Sequence, residues 1–177
     1  MLPTRESTIY CSPQLRALWP EPLAARWATI YPDLFDDDDL RITRRQPTKH
    51  FNEWFTAIHL FQRDGVLCLV EKYAFATHPR KKAVVSRLLS DTQRVALERI
   101  RGEFRIQLPD LLVFQPDHSG FWFAEVKGPG DRLRASQQES HEAIRRCLGV
   151  AVALITVRLH PGSGQPAQPS RADKPDL

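Results

Sequence analysis

Hydrophobic positions along the chain change their period several times, and each change marks an element. Residues 1–45 carry little periodicity, because Pro13, Pro20, Pro22 and Pro32 cut them into short pieces among Leu15, Leu18, Trp19, Leu23, Trp27, Ile30 and Tyr31. One or two short helices packed on the domain are expected there. From 48 to 62 the spacing is helical, with Thr48 as N-cap, a broad face of Phe51, Trp54, Phe55, Ile58 and Leu60, and Gly65 as the stop. Residues 66–75 are β-branched and aromatic, the signature of a strand. Pro79 then opens a helical stretch to about 101, in which Ser90-Asp91 separates a first apolar cluster (Val84, Val85, Leu88, Leu89) from a second (Val95, Leu97, Ile100).

Residues 108–127 read LPDLLVFQPDHSGFWFAEVK, two apolar runs around the turn-prone 115–120, and predict a β-hairpin. Folding the runs back about the Asp117/His118 midpoint sets Asp110 opposite Glu125. Directly paired residues share a face with Cβ atoms about 4.5–5.5 Å apart, and Lys127 joins Glu125 on that face by alternation. After the turn at 128–131, where Asp131 can cap, a helix is expected from about 132 to 148. Its stripe is Leu133, Gln137, His141 (or Ser140), Ile144 and Leu148. Gly149 stops it, 150–159 form an apolar strand, and 161–177, rich in Pro, Gly and Ser, are expected to be a disordered tail. Apart from the helical insert at about 79–102, the order is αβββαβ, an α/β fold with a mixed four-stranded sheet flanked by helices.

Composition narrows the class. A chain of 177 residues, 42% hydrophobic and 26% charged, is long enough to bury a core as one domain and ordinary for a globular protein. No segment reaches the roughly 20 apolar residues of a membrane-spanning helix, and the N-terminus has no apolar signal core. Cys11, Cys68 and Cys147 are odd in number and widely spaced, so neither a disulfide framework nor a zinc knuckle is indicated, and a reducing cytoplasmic compartment is expected. The net charge of +4 is modest, but 78–105 holds eight Lys/Arg against three Asp/Glu. Such a basic excess suits a phosphate-tracking surface or a solvated helix face. The acidic run Asp36–Asp39 is read as a solvated loop or helix start rather than a metal site.

Two carboxylates held as close as Asp110 and Glu125 repel unless a cation or proton lies between them, which predicts a divalent-metal site. Glu53, in the first turns of the 48–62 helix, is either a helix-dipole carboxylate or a third acid directed at that metal. Gln137 is either an edge residue of the core or an amide aimed at the catalytic face, and the hairpin favours the second. His50 and His59 are expected to pack or face solvent, since no HExxH spacing supports zinc. No GxSxG motif and no P-loop glycine run competes.

Pro109-Asp110 on one strand and Glu125-Val126-Lys127 on the next resemble the PD-(D/E)xK nuclease superfamily. Pro109 to Val113, then Phe123 to Leu133 followed by Gln137, are similar to the virus-type replication-repair nuclease (VRR-Nuc) domain, with the match strongest over about 108–157. That domain ends the Fanconi-associated nuclease and also occurs alone in bacteria and phages. The resemblance implies a restriction-endonuclease-like core at 47–160 behind an extension at 1–46 packed on it. By the same resemblance Asp110 and Glu125 are metal ligands, the Val126 carbonyl a third, and Glu53 a further position through water. Lys127 would orient or deprotonate the attacking water, and Gln137 would support the site. All-oxygen ligands suit Mg²⁺ or Mn²⁺. The activity implied is a metal-dependent, structure-selective DNA endonuclease cutting branched DNA, as a Holliday-junction resolvase or a flap cutter does, in repair or recombination. It would leave a 5′-phosphate and a 3′-hydroxyl and act as a homodimer. Arg80, Lys81, Lys82, Arg132 and Arg134 are the candidate DNA contacts. The alternative, a non-catalytic nucleic-acid-binding or interaction module on the same fold, has no need of the Asp110–Glu125–Lys127 trio.

Overall fold

The computed structural model describes residues 6–70, 73, 78–104 and 108–160. Among these, five strands build one mixed sheet: β1 (Glu6–Cys11), β2 (Leu67–Val70), β3 (Leu111–Phe114), β4 (Phe121–Lys127) and β5 (Val152–Leu159), in the order β1-β5-β4-β3-β2. The helices are α1 (Pro13–Ala17), α2 (Leu23–Ile30), α3 (Asp37–Arg45), α4 (Phe51–Asp64), α5 (Pro79–Leu88), α6 (Asp91–Phe104) and α7 (Ala135–Leu148).

β3 and β4 pair antiparallel through Leu111↔Ala124, Leu112↔Phe123, Val113↔Trp122 and Phe114↔Phe121. That is the register expected from a turn centred between Asp117 and His118, and one further step sets Asp110 against Glu125. The loop closes with the Ser119 N–H donating to Asp117 Oδ1 at 2.9 Å, while His118 takes the left-handed backbone (φ 62°) that a tight turn demands.

Alternation along the strands makes two core layers. Leu111, Val113, Ala124, Val126, Cys68 and Val70 pack with Phe51, Trp54, Ala57 and Ile58 of α4. Leu112, Phe114, Phe123 and Leu69 pack with Val85, Leu88, Leu97, Ile100, Ala143, Ile144 and Leu148 of α5, α6 and α7. Strands covered on both faces read as continuous apolar runs, which is why β3 is all-buried LLVF.

The N-terminal segment departs from expectation. It does more than pack on the core, because β1 pairs parallel with β5 and makes the sheet five-stranded rather than four. Alternating ESTIYC was obscured by the prolines that follow it. Trp19, Trp27 and Phe35 then build an aromatic layer on Phe51 and Trp54 of α4, with the Phe35 and Trp54 rings stacked 3.7 Å apart.

Several boundaries move for identifiable reasons. Thr48 does not cap α4; Lys49 N–H donates to Gln46 O at 3.0 Å in a separate turn, and the helix starts after His50. Gly65 ends it in the left-handed region at φ 69°, as expected. The insert divides at Ser90, whose Oγ accepts from Gln93 N–H (3.2 Å) while Gln93 Oε1 accepts from Ser90 N–H (3.0 Å). Asp131 does not cap α7. Its Oδ2 accepts from Gly128 N–H at 2.9 Å, and α7 starts only at Ala135. Within the 66–75 expectation, Glu71, Lys72 and 74–75 lie outside the described residues, as do Arg105 and the expected tail at 161–177.

The acidic run is a helix start, but not a solvated one. Asp36 and Asp39 close a reciprocal capping box, each accepting the other's N–H at 3.1 Å. Asp39 is 3% exposed and meets Lys81, 1% exposed, at 2.5 Å. Burial pushes the Asp39 carboxyl up to about 6 against the pull of Lys81. For Asp36 burial acts in the same direction, but Lys81, the Asp39 N–H, His78 and Arg80 together hold the carboxyl below its ordinary value. The run thus fastens α5 to α3.

Candidate active site

Sheet parity decides which side chains meet. On β4, Ala124 and Val126 face α4 whereas Phe123 faces α7, so Glu125 and Lys127 also project towards α7. Glu125 is 3% exposed. Its Oε1 accepts from Lys127 Nζ at 2.7 Å and from Gln137 Nε2 at 2.6 Å, and Oε2 stands 3.6 Å from His141 Nε2. Gln137 Oε1 in turn accepts from Lys127 Nζ at 3.2 Å and from the Arg134 N–H at 3.1 Å. One amide therefore links carboxylate, ammonium and helix start, with its NH₂ on Glu125 and its carbonyl on Lys127. Burial would raise the Glu125 carboxyl, but hydrogen bonds and charge from His141 and Lys127 outweigh it and hold the carboxyl below its ordinary value.

Asp110 sits one residue before β3, where the ladder ends. Its Oδ2 accepts the Val126 N–H at 2.8 Å, which ties it to the residue between Glu125 and Lys127. Behind it, buried Tyr73 donates to the Pro109 carbonyl at 2.8 Å. Burial, together with the negative charges of Asp110 and Glu125, pushes the Tyr73 phenol well above its ordinary value. The two carboxylates do not share a face as the hairpin register leads one to expect: Glu125 projects towards α7, whereas the Asp110 side chain turns to the Val126 N–H and the α4 side. Asp110 also lines a cavity of about 420 Å³ with Glu53 from the first turn of α4 and Asp131 from the turn after β4.

The site expected on one face is divided between two. Glu125, Lys127 and Gln137 form one hydrogen-bonded cluster on the α7 side, and Asp110 shares a cavity with Glu53 on the α4 side. The Asp110–Val126 bond joins them across the strand end. Arg132 and Arg134 are exposed in the segment between β4 and α7, and Lys82 is exposed on α5. Arg80 and Lys81 are not offered to a phosphate. Lys81 is buried on Asp39, while Arg80 lies 3.4 Å from Asp36 and donates to the Asp33 carbonyl.

Asp110, Glu53 and Asp131 bring carboxylate oxygens, the donors a hard divalent cation takes, to one cavity, and Glu125 stands outside it on the other face of β4. A different cluster, Asp36, Asp37 and His78, brings ligand atoms within 4.8 Å of one another. Its charge is already met by Arg80 at 3.4 Å and Lys81 at 3.6 Å from Asp36, so it is an ion-pair network.

Four residues of the site carried little or no signal in the sequence. His141 was legible as the next turn of the Gln137 stripe, but its partner was not. Asn52 and Arg16, which also line the cavity, and Tyr73 had no pattern to announce them.

A mixed sheet with helices on both faces, its central hairpin carrying Pro-Asp at the start of one strand and Glu-Val-Lys at the end of the next, defines a restriction-endonuclease-like fold. The VRR-NUC domain matches residues 44–159, and the chain belongs to that family of nucleases. Among solved structures, paFAN1 bound to 5′-flap DNA with a gap is similar at 30% identity and a TM-score of 0.42. The match covers 49% of this chain and 16% of that one. No curated protein matches the chain. Among the described residues no helix is long and apolar enough to cross a membrane.

Proposed function

We propose that the protein is a metal-dependent PD-(D/E)xK-type endonuclease that hydrolyses phosphodiester bonds in branched DNA. The observation that supports this most is the Glu125–Lys127–Gln137 cluster, tied to Asp110 through the Val126 N–H. Asp110 and Glu125, with the Val126 carbonyl and Glu53 through water, would hold Mg²⁺ or Mn²⁺, which supplies a water of lowered pKa and offsets charge on the phosphate.

The chain's own residues do the rest. His141 and Lys127 keep Glu125 ionised. Gln137 fixes where the Lys127 ammonium points, so that it can orient the attacking water and meet negative charge growing on the phosphate oxygens. Tyr73, protonated, holds the Pro109 carbonyl and with it the approach of Asp110. Exposed Arg132, Arg134 and Lys82 supply cations for the DNA backbone, as phosphate contacts that position rather than specify. The products would be a 5′-phosphate and a 3′-hydroxyl. A symmetric four-way junction is best met by a two-fold homodimer.

Four-way, flap and linear DNAs incubated with Mg²⁺ or Mn²⁺ test the reading. Metal-dependent cutting of a branched substrate is expected, and full activity in Lys127→Ala overturns it.

A further inference from the structure

The cavity beside Asp110 holds a feature that the nuclease reading leaves unused. Arg16, from α1, lines it together with Asp110, Glu53, Asp131 and Lys49. Arg16 lies outside residues 44–159 matched by the family, so it belongs to the N-terminal segment of this chain. Its guanidinium is held by two uncharged partners: Nη1 donates to Asn52 Oδ1 at 2.9 Å, and Cζ stands 5.1 Å from the Phe51 ring centroid. The contrast with Arg80 and Lys81, both set against carboxylates, is sharp.

Asn52 lies against the turn that follows β4. A Cβ on Gly128 would lie 2.7 Å from Asn52 Nδ2 and 3.0 Å from Asp131 Oδ2, so the missing side chain of Gly128 is what lets Asn52 reach the turn directly after Lys127. Arg16 is thereby fixed to the end of the strand that carries Glu125 and Lys127. The guanidinium shares its cavity with the carboxylates of Asp110, Glu53 and Asp131, and its planar fork matches phosphate.

We propose that Arg16 binds a phosphate of the substrate strand within the cavity that Asp110 and Glu53 line. The inference rests on the nuclease reading. It gives the N-terminal segment a task in substrate binding: β1 anchors it to the sheet and α1 delivers the cation.

The test is a salt titration of DNA binding in the Lys127→Ala background, where the substrate stays uncut, using 5′-flap DNAs with a 5′-phosphate or a 5′-hydroxyl. Adding Arg16→Gln, which keeps a donor for Asn52 but removes the charge, should weaken binding about tenfold. It should also reduce the slope of log K against log salt by about 0.7–0.9, the loss of one phosphate contact. Arg16→Lys should restore the slope. Asn52→Asp, which pairs the guanidinium with a carboxylate without deleting a contact, should lower it independently and guards against a misfolded Arg16→Gln. An equal drop on both flaps identifies an internal phosphate, and a drop only on the 5′-phosphorylated flap identifies a terminal one; either supports the proposal. Unchanged slopes in Arg16→Gln and Asn52→Asp overturn it while leaving the nuclease reading intact. Absence of any DNA binding by the unaltered chain overturns both.

Discussion

Gln137 Nε2 donates to Glu125 Oε1 at 2.6 Å, while Gln137 Oε1 accepts from Lys127 at 3.2 Å. An amide does both at once, whereas a carboxylate has no donor and an ammonium no acceptor. Gln137→Glu would place a second negative charge against Glu125 and draw Lys127 away. Its cutting rate should fall further than that of Gln137→Ala, which should lose roughly 10–100-fold, the usual cost of a group that orients a metal ligand. Rates over a Mn²⁺ series for both variants check the order.

Asp110 allows fold and chemistry to be separated. Asp110→Asn keeps an oxygen to accept the Val126 N–H, so the melting temperature should stay within a few degrees while metal-dependent cutting disappears. Asp110→Ala also loses that bond and should cost about 1 kcal/mol more. Thermal melts beside a cleavage assay distinguish the two.

How much of this was legible in the sequence follows from how local each feature is. The hairpin register needs only one turn and two alternating runs, so the β3–β4 ladder was readable from residues within twenty positions of each other, whereas the turning of the Asp110 side chain to the Val126 N–H beyond the ladder's end was not. Gln137 was readable from helical spacing. β1 was not, because its partner β5 lies nearly 150 residues away in sequence and its short alternation runs straight into the proline-cut segment. The burial of Lys81 on Asp39 was hidden for the same reason: a basic run reads as a surface until an acidic run elsewhere is known to cover it.

That buried pair carries its own expectation. Lys81→Met strands the Asp39 carboxylate and should destabilise the fold by about 3–5 kcal/mol, whereas Lys81→Met with Asp39→Leu should recover most of the loss. Urea unfolding of the single and double variants measures it.

Acid should weaken the site in a stated direction. The Glu125 carboxyl is held below its ordinary value in the folded state. The folded chain therefore binds fewer protons there than the unfolded one. The stability this group contributes is full above the ordinary glutamate range, about 4.3, and is lost as pH falls through the lower folded value. The stability difference between the unaltered chain and Glu125→Gln should be flat from neutral pH to about 5 and narrow below it. A difference that widens on acidification would contradict the assignment of His141 and Lys127 as the groups holding Glu125 ionised.

The most direct measurement is cleavage of four-way, flap and linear DNAs with and without Mg²⁺ or Mn²⁺, by the unaltered chain and by Lys127→Ala. Cutting of a branched substrate that needs the metal, and is lost in Lys127→Ala although the variant still folds, is expected. Cutting that persists in Lys127→Ala, or no metal-dependent cutting of any substrate by the unaltered chain, would contradict the nuclease reading.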